Sequence, residues 1–233
     1  VLIWVYAFIT GLSPSVMRSA LMLSFWSLSS LLDRHTSRWN PVFAAAVIIL
    51  IINPLSLWSV SFQLSFAAVV GIMLVGSWLQ RKVVLRGRIV SYIGGLLIVS
   101  IAAQVGTMPL TMYYFGQTSN YFALTNVLVI PMAFVLLLLG FITLAMSWCM
   151  LGEWLAIVTR WCTWLLRASV EWVESLPGST TKISLSEWGL IGMYGVIVCG
   201  IMMLRKEKVN WWWFIGAVIC VLVILKLEVY ANL

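Results

Sequence analysis

Residues 52–72 read Ile52-Asn53-Pro54-Leu55-Ser56-Leu57-Trp58-Ser59-Val60-Ser61-Phe62-Gln63-Leu64-Ser65-Phe66-Ala67-Ala68-Val69-Val70-Gly71-Ile72. From Leu57 to Leu79 this stretch is apolar over more than the ~20 residues that a membrane-crossing helix needs. It nevertheless carries an amide, Gln63, flanked by the hydroxyls of Ser61 and Ser65. Polar groups at membrane depth are costly unless they pair or meet water, so they mark a packed helix interface or a solvated path. Ser61 and Ser65 are four residues apart and share a helix face, whereas Gln63 points elsewhere. The helix therefore carries polar atoms on two faces, as expected in an all-α, polytopic transmembrane bundle.

Composition agrees. The chain is 63% hydrophobic and 9% charged over 233 residues, against roughly 25% charged in a soluble domain. Its 14 Trp suit the headgroup interface. The net charge of +7 fits Lys and Arg gathering in cytoplasmic loops better than a nucleic-acid footprint. Cys149, Cys162, Cys199 and Cys220 lie in apolar stretches without a CxxC spacing, so they read as packing residues and not as disulfides or a metal site. The opening on Val1 inside an apolar run suggests a piece of a longer membrane protein, and that run lacks the pattern of a signal peptide.

Outward from residues 52–72, the chain divides into apolar segments and breaks. Val1–Thr10 ends at Gly11, and Pro14, capped by Ser13, opens a helix to about Leu32 that carries Arg18 near its start. Asp33 to Asn40 is a polar loop containing the single histidine, His35. Pro41 opens a run of only about 11 apolar residues, roughly 16 Å of helix, before Asn53-Pro54 interrupts it. Arg81, Lys82, Arg86 and Arg88 then form a cytoplasmic anchor. Ile89–Met108 is a span ending at Pro109, and Tyr113–Asn120 reads as an aromatic interfacial loop. Ala123–Trp148 is apolar with Asn126 and Pro131 near its start. Glu187–Leu204 and Trp211–Leu225 are the last spans, separated by Arg205, Lys206 and Lys208. Pro14, Asn53, Pro54, Pro109 and Pro131 are thus the expected helix breaks, and irregular backbone in a membrane survives only where protein or water satisfies it.

Residues 149–176 differ. Glu153, Arg160, Arg167, Glu171 and Glu174 fall within about 60° of helix circumference, leaving Trp154, Trp161 and Trp172 on the remainder. A narrow charged stripe suits a helix lying in the membrane interface or one lining a wet cavity. With both basic anchors cytoplasmic, the crossings between them must be even in number. Either four segments cross, including the striped helix, or the striped helix lies flat and another segment is re-entrant. The flat arrangement is preferred because Asn126 and Pro131 make 123–148 a candidate broken segment.

No catalytic constellation is visible. His35 sits in a charged loop, no paired carboxylates occur in the spans, and neither a phosphate loop nor zinc spacing is present. Ser-Phe-Gln-Leu-Ser lacks a base for a nucleophile elbow. Arg18 either snorkels to the interface or faces the bundle and holds an anion. Gln63, Gln104, Thr107 and Asn126 either bond between helices or line a path.

Three blocks of sequence resemble the ComEC/Rec2 family of competence proteins, bacterial inner-membrane channels for transforming DNA. The first is Gly11-Leu12-Ser13-Pro14-Ser15-Val16-Met17-Arg18-Ser19-Ala20-Leu21-Met22. The second is Leu50-Ile51-Ile52-Asn53-Pro54 leading into Phe62-Gln63-Leu64-Ser65-Phe66-Ala67-Ala68. The third runs from Pro109 through Tyr114-Phe115-Gly116 to Thr125-Asn126 and Pro131. The match is tight over 1–135 and loose beyond, with Leu176-Pro177-Gly178 similar to a later family region. Ser19 stands in place of the usual Ala, and Ser59 and Ser61 replace an acidic residue and a glycine.

The resemblance implies a multi-pass protein of the bacterial inner membrane that passes one DNA strand inward while the other is degraded. It also implies a soluble N-terminal domain and often a metallo-β-lactamase-like domain beyond these residues. On this view the whole of 1–233 is one channel domain: motif-bearing helices over 1–148, an amphipathic helix over 149–176 and two spans over 187–233. Arg18, Ser61, Gln63, Ser65, Gln104, Thr107 and Asn126 are the candidate lining or packing residues. The expected partners are the lipid bilayer, single-stranded DNA and other DNA-uptake components. No cofactor, metal or catalysis is expected. The alternative is a secondary transporter of a small anionic substrate, using the same broken helices as a midplane site.

Overall fold

The computed structural model describes residues 2–31, 39–83, 86–146, 148 and 151–204. The loop carrying Asp33, Arg34, His35 and Arg38 lies outside them, as do Cys149, the basic residues Arg205, Lys206 and Lys208, and the last expected span with Cys220. The chain is helical, with two short strands among the described residues. Among the described residues, three helices are long and apolar enough to cross a membrane: Val60–Lys82, Arg88–Phe115 and Phe122–Ala145. It is a helical membrane protein, as its composition requires. Two compact units are present, residues 1–67 and 68–233.

In the first unit, α1 (Leu2–Ile9) and α2 (Pro14–Leu31) form a tight helical hairpin. The Gly11 N–H donates to the Phe8 carbonyl at 3.1 Å and the Leu12 N–H to the Ala7 carbonyl at 2.8 Å. This is the paired bonding of a Schellman stop, which needs a left-handed residue where Gly11 stands at φ +71°. Leu12 is also left-handed, at φ +53°, a conformation that a side chain adopts only at some cost. Trp4 Nε1 donates to Ser24 Oγ across the hairpin at 3.0 Å. The helix α3 (Trp39–Ile52) packs on α2, and Ala20, Leu21, Val42 and Ala45 are buried. Small residues let helix backbones approach closely where lipid provides no hydrophobic drive.

Asn53 and Pro54 interrupt the chain as expected. Asn53 accepts from the Leu55 N–H on its Oδ1 at 3.1 Å, and a 3₁₀ turn follows over Pro54–Trp58. Leu57 and Trp58 thus belong to this turn, and the next helix begins at Val60. Ser59 explains the start: its Oγ accepts from the Phe62 N–H and satisfies one of the free donors of the first turn.

From Val60 a continuous 23-residue helix runs to Lys82, as α4 (Val60–Gly71), a π-helical turn (Ile72–Gly76) and α5 (Ser77–Lys82). The unit boundary falls within it. In the second unit the π turn packs on α6 (Arg88–Phe115). A Cβ on Gly71 would lie 2.4 Å from the Ala102 carbonyl oxygen and 3.1 Å from the Gly106 Cα. Nothing larger than glycine fits this crossing.

Two expected breaks are corrected here. Pro109 lies fully buried inside α6, which continues to Phe115. Tyr113 and Tyr114 are accordingly helical and not part of a loop. Pro131 lies inside α7 (Phe122–Ala145), a single 24-residue helix. A proline removes one ladder bond, but an interrupted helix would expose several backbone groups to lipid, so the helix continues. One turn before Pro109, the Gly106 carbonyl accepts from the Tyr194 hydroxyl at 2.9 Å.

The second unit closes with α8 (Leu151–Glu174) and α9 (Glu187–Leu204). A two-stranded antiparallel sheet, not foreseen in the sequence, ties the intervening segments together. Its strands are β1 (Gln117–Ser119) and β2 (Thr180–Lys182), with Thr118 opposite Thr181. Gly116, left-handed at φ +63°, ends α6 and turns the chain into β1.

Candidate functional site

The first unit holds one charged side chain among its described residues, Arg18. It lies one turn into α2 and is only 4% exposed. Its Nη2 donates to Ser61 Oγ on α4 at 2.9 Å, while its Nε meets no partner among the described residues. The one ion pair among those residues is elsewhere, between Arg167 and Glu171. Among the described residues this buried guanidinium thus meets a neutral hydroxyl and no carboxylate. Burial of an uncompensated charge is strongly unfavourable, so such a group is retained where an anion or water completes its shell.

The other polar residues around the Asn53-Pro54 break serve the backbone. Gln63 Nε2 donates to the Leu57 carbonyl at 3.0 Å, bracing the 3₁₀ turn. Ser59 Oγ donates to the Ser56 carbonyl at 2.8 Å. Ser65 makes no side-chain hydrogen bond among the described residues. Of the three polar side chains at 61, 63 and 65, Ser61 is thus the one that meets Arg18.

In the second unit, Gln104 Nε2 donates to the buried Thr118 Oγ1 at 3.1 Å, joining α6 to β1. Thr107 Oγ1 bonds back to the Ala103 carbonyl at 3.0 Å. Asn126 has no side-chain hydrogen bond among the described residues. No hydrogen bond among the described residues joins these three expected site residues to one another. The sheet is fastened by residues that sequence reasoning missed. Asn120 Nδ2 donates to the Gly178 carbonyl and to Thr181 Oγ1, each at 2.7 Å, and Tyr121 Oη donates to the Pro177 carbonyl at 3.1 Å. The one available signal was the polar run Gln117-Thr118-Ser119-Asn120 set between apolar helices.

The charged stripe of α8 is real and fully displayed: Glu153, Arg160, Arg167, Glu171 and Glu174 are all exposed. Arg167 Nε and Glu171 Oε1 form an i,i+4 pair at 2.6 Å, with both side chains largely exposed. On another side of α8, Thr159 Oγ1 and Thr143 Oγ1 of α7 are hydrogen-bonded at 3.0 Å, and Ser169 Oγ approaches Met132 Sδ at 3.9 Å. Among the described residues no cluster of His, Cys, Asp and Glu could hold a metal ion.

The family model described as "Competence protein" matches residues 1–207. The chain belongs to the competence protein family. The match takes in the first unit and the second as far as residue 207, including the Arg18–Ser61 contact, the sheet and α8, and so extends well past residue 135, where the sequence motifs thin out. ComE operon protein 3 of Bacillus subtilis (strain 168) is 32% identical over 126 residues, covering 54% of this chain and 15% of that protein. The uncharacterized protein YcaI of Escherichia coli (strain K12) is 27% identical over 132 residues, covering 54% of this chain and 17% of its own length. The chain therefore spans under a fifth of the curated relatives that it matches. No solved structure matches this competence protein.

Proposed function

We propose that this competence protein is the membrane channel part of a DNA-uptake protein of the bacterial inner membrane, passing single-stranded DNA into the cytoplasm. Its chemistry is passage and not catalysis. The observation that carries the reading is Arg18: a buried cation, the one charged side chain among the described residues of the first unit, held by a hydroxyl and without a carboxylate partner among them. A strand of phosphodiesters requires such isolated positive points along a wet route, because they attract phosphate without the competition of a built-in carboxylate. Family membership and the likeness to ComE operon protein 3 support DNA as the cargo.

In the full-length protein, Arg18→Ala should abolish transformation with unchanged membrane abundance, and Gln63→Leu should do the same by releasing the 3₁₀ turn. Wild-type transformation frequency in both variants would overturn the reading. The same isolated cation would also serve a secondary transporter of a small anion. Proteoliposomes separate the two: labelled single-stranded DNA enters in the first case, nucleotides or organic anions in the second.

A further inference from the structure

The placement of α8 follows from three contacts within the second unit. Strand β1 follows α6 and precedes α7, while β2 follows α8 and precedes α9, and the two strands are paired. The sheet therefore gathers the C-terminal ends of α6 and α8 with the N-terminal ends of α7 and α9. Thr143–Thr159 and Met132–Ser169 then pair α7 and α8 antiparallel over a long shared stretch. Since the 24 residues of α7 are apolar enough to cross a membrane, the helix lying along it crosses too. Crossings by α6, α7, α8 and α9 make four, the even number that the two basic anchors demand. Arg81, Lys82, Arg86 and Arg88 precede or open α6 at the end away from the sheet, so the sheet is external and Glu153 lies at the cytoplasmic end of α8.

A crossing α8 gives its exposed residues a depth. Trp154 and Trp172 stand near its ends, where indoles favour the interface. Arg160, Trp161 and Trp164 lie about 13–21 Å from either end at 1.5 Å per residue, near mid-membrane. Arg160 has no ion-pair partner among the described residues, in contrast to Arg167. Trp161 and Trp164 are exposed, with ring centroids 5.8 Å apart in an edge-to-face pair. The charged stripe is turned about 140° from the Thr159–Ser169 face that meets α7. A lone guanidinium at this depth cannot face lipid cheaply, and mid-depth tryptophans are not interfacial anchors.

We propose that α8 crosses the membrane beside α7 and that Arg160, Trp161 and Trp164 form a contact strip for single-stranded DNA. The guanidinium meets a phosphate and the indoles stack on bases. This deepens the reading of DNA passage and rests on it. Cation and aromatic rings side by side are what a sequence-tolerant grip on a single strand requires, since every base has a π-face and every nucleotide a phosphate.

The test uses the full-length protein with its native cysteines replaced by serine, in native membranes. Glu153→Cys and Glu174→Cys should react with a membrane-impermeant maleimide from opposite faces of the membrane. Arg160→Cys should also react, and a single-stranded oligonucleotide should slow it by about tenfold, the scale of one stacked base, without slowing Glu153→Cys. Reaction of Glu153→Cys and Glu174→Cys from the same face overturns the crossing. An unreactive Arg160→Cys means that lipid or another protein surface covers the strip, and an unslowed one means water without DNA; either overturns the contact. In cells carrying the cysteine-containing protein, Arg160→Ala and Trp164→Ala should each lower transformation about tenfold, with Arg160→Lys and Trp164→Phe retaining most of it. Wild-type frequencies in both alanine variants, with loss in Arg18→Ala, overturn the strip and leave the passage reading standing. Wild-type frequencies in all three overturn both.

Discussion

At the residue scale, Arg18 and Gly71 show two kinds of constraint. Arg18 keeps one hydrogen bond, to Ser61, so Ser61→Ala leaves the guanidinium with still less compensation. Ser61→Ala should lower the thermal midpoint of the detergent-solubilised protein, consistent with a loss of about 1.5–3 kcal/mol for a hydrogen bond to a charged group. Thermal melts of the purified variant check this. Gly71 is constrained by space alone. Gly71→Ala drives a methyl to 2.4 Å from the Ala102 carbonyl, and backbone must move. It should cost about 1–3 kcal/mol, the usual range for overpacking. Gly95→Ala on α6, with nothing within 4 Å of its added methyl, should melt like the wild type. Arg18 was legible in the sequence, because a charge one turn into an apolar helix stands out. Gly71 was not, because only the facing Ala102 and Gly106 make its missing side chain a requirement.

At the scale of elements, composition announced the helices but not their ends. Apolar runs place α6 and α7 well, yet Pro109 and Pro131, which read as breaks in the sequence, lie inside these helices. Proline stops helices in water because water satisfies the freed groups, and that competitor is missing in a bilayer. Asn53-Pro54 does interrupt the chain, since an asparagine cap and a 3₁₀ turn accompany it. Pro109→Ala should therefore leave the helix content by circular dichroism unchanged. Between α7 and α8, the Thr143–Thr159 bond should give a coupling of about 0.6 kcal/mol in a double-mutant cycle with Thr143→Val and Thr159→Val, typical of interhelical bonds in membranes. A coupling of zero would mean that the two helices do not pair in the membrane as they do in this structure.

At the scale of the whole molecule, the two short strands decide more than their length suggests. They fix which helix ends share a face of the second unit, and thereby the relative direction of the helices between residues 88 and 204. Alkaline phosphatase fused after Ser119 should be active and after Gly87 inactive, since the enzyme folds only outside the cytoplasm. Asn120→Ala removes two bonds that hold the sheet and should make the 175–186 segment more sensitive to added protease from the outer side.

By itself the sequence determined that this is an all-α membrane protein with a competence-type motif order, because hydropathy and composition are properties of each segment taken alone. The polar residues that interrupt its apolar runs were visible for the same reason. Tertiary structure alone decided which of them meet: Arg18 with Ser61, Gln104 with Thr118, Asn120 with Gly178 and Thr181. It also decided that the striped helix runs beside α7. Pairing between distant segments depends on contact geometry, which no single segment carries. For residues 52–72, whose polar atoms mark a packed interface or a path, Gln63 braces a turn and Ser61 holds Arg18, the one charge among the described residues of its unit.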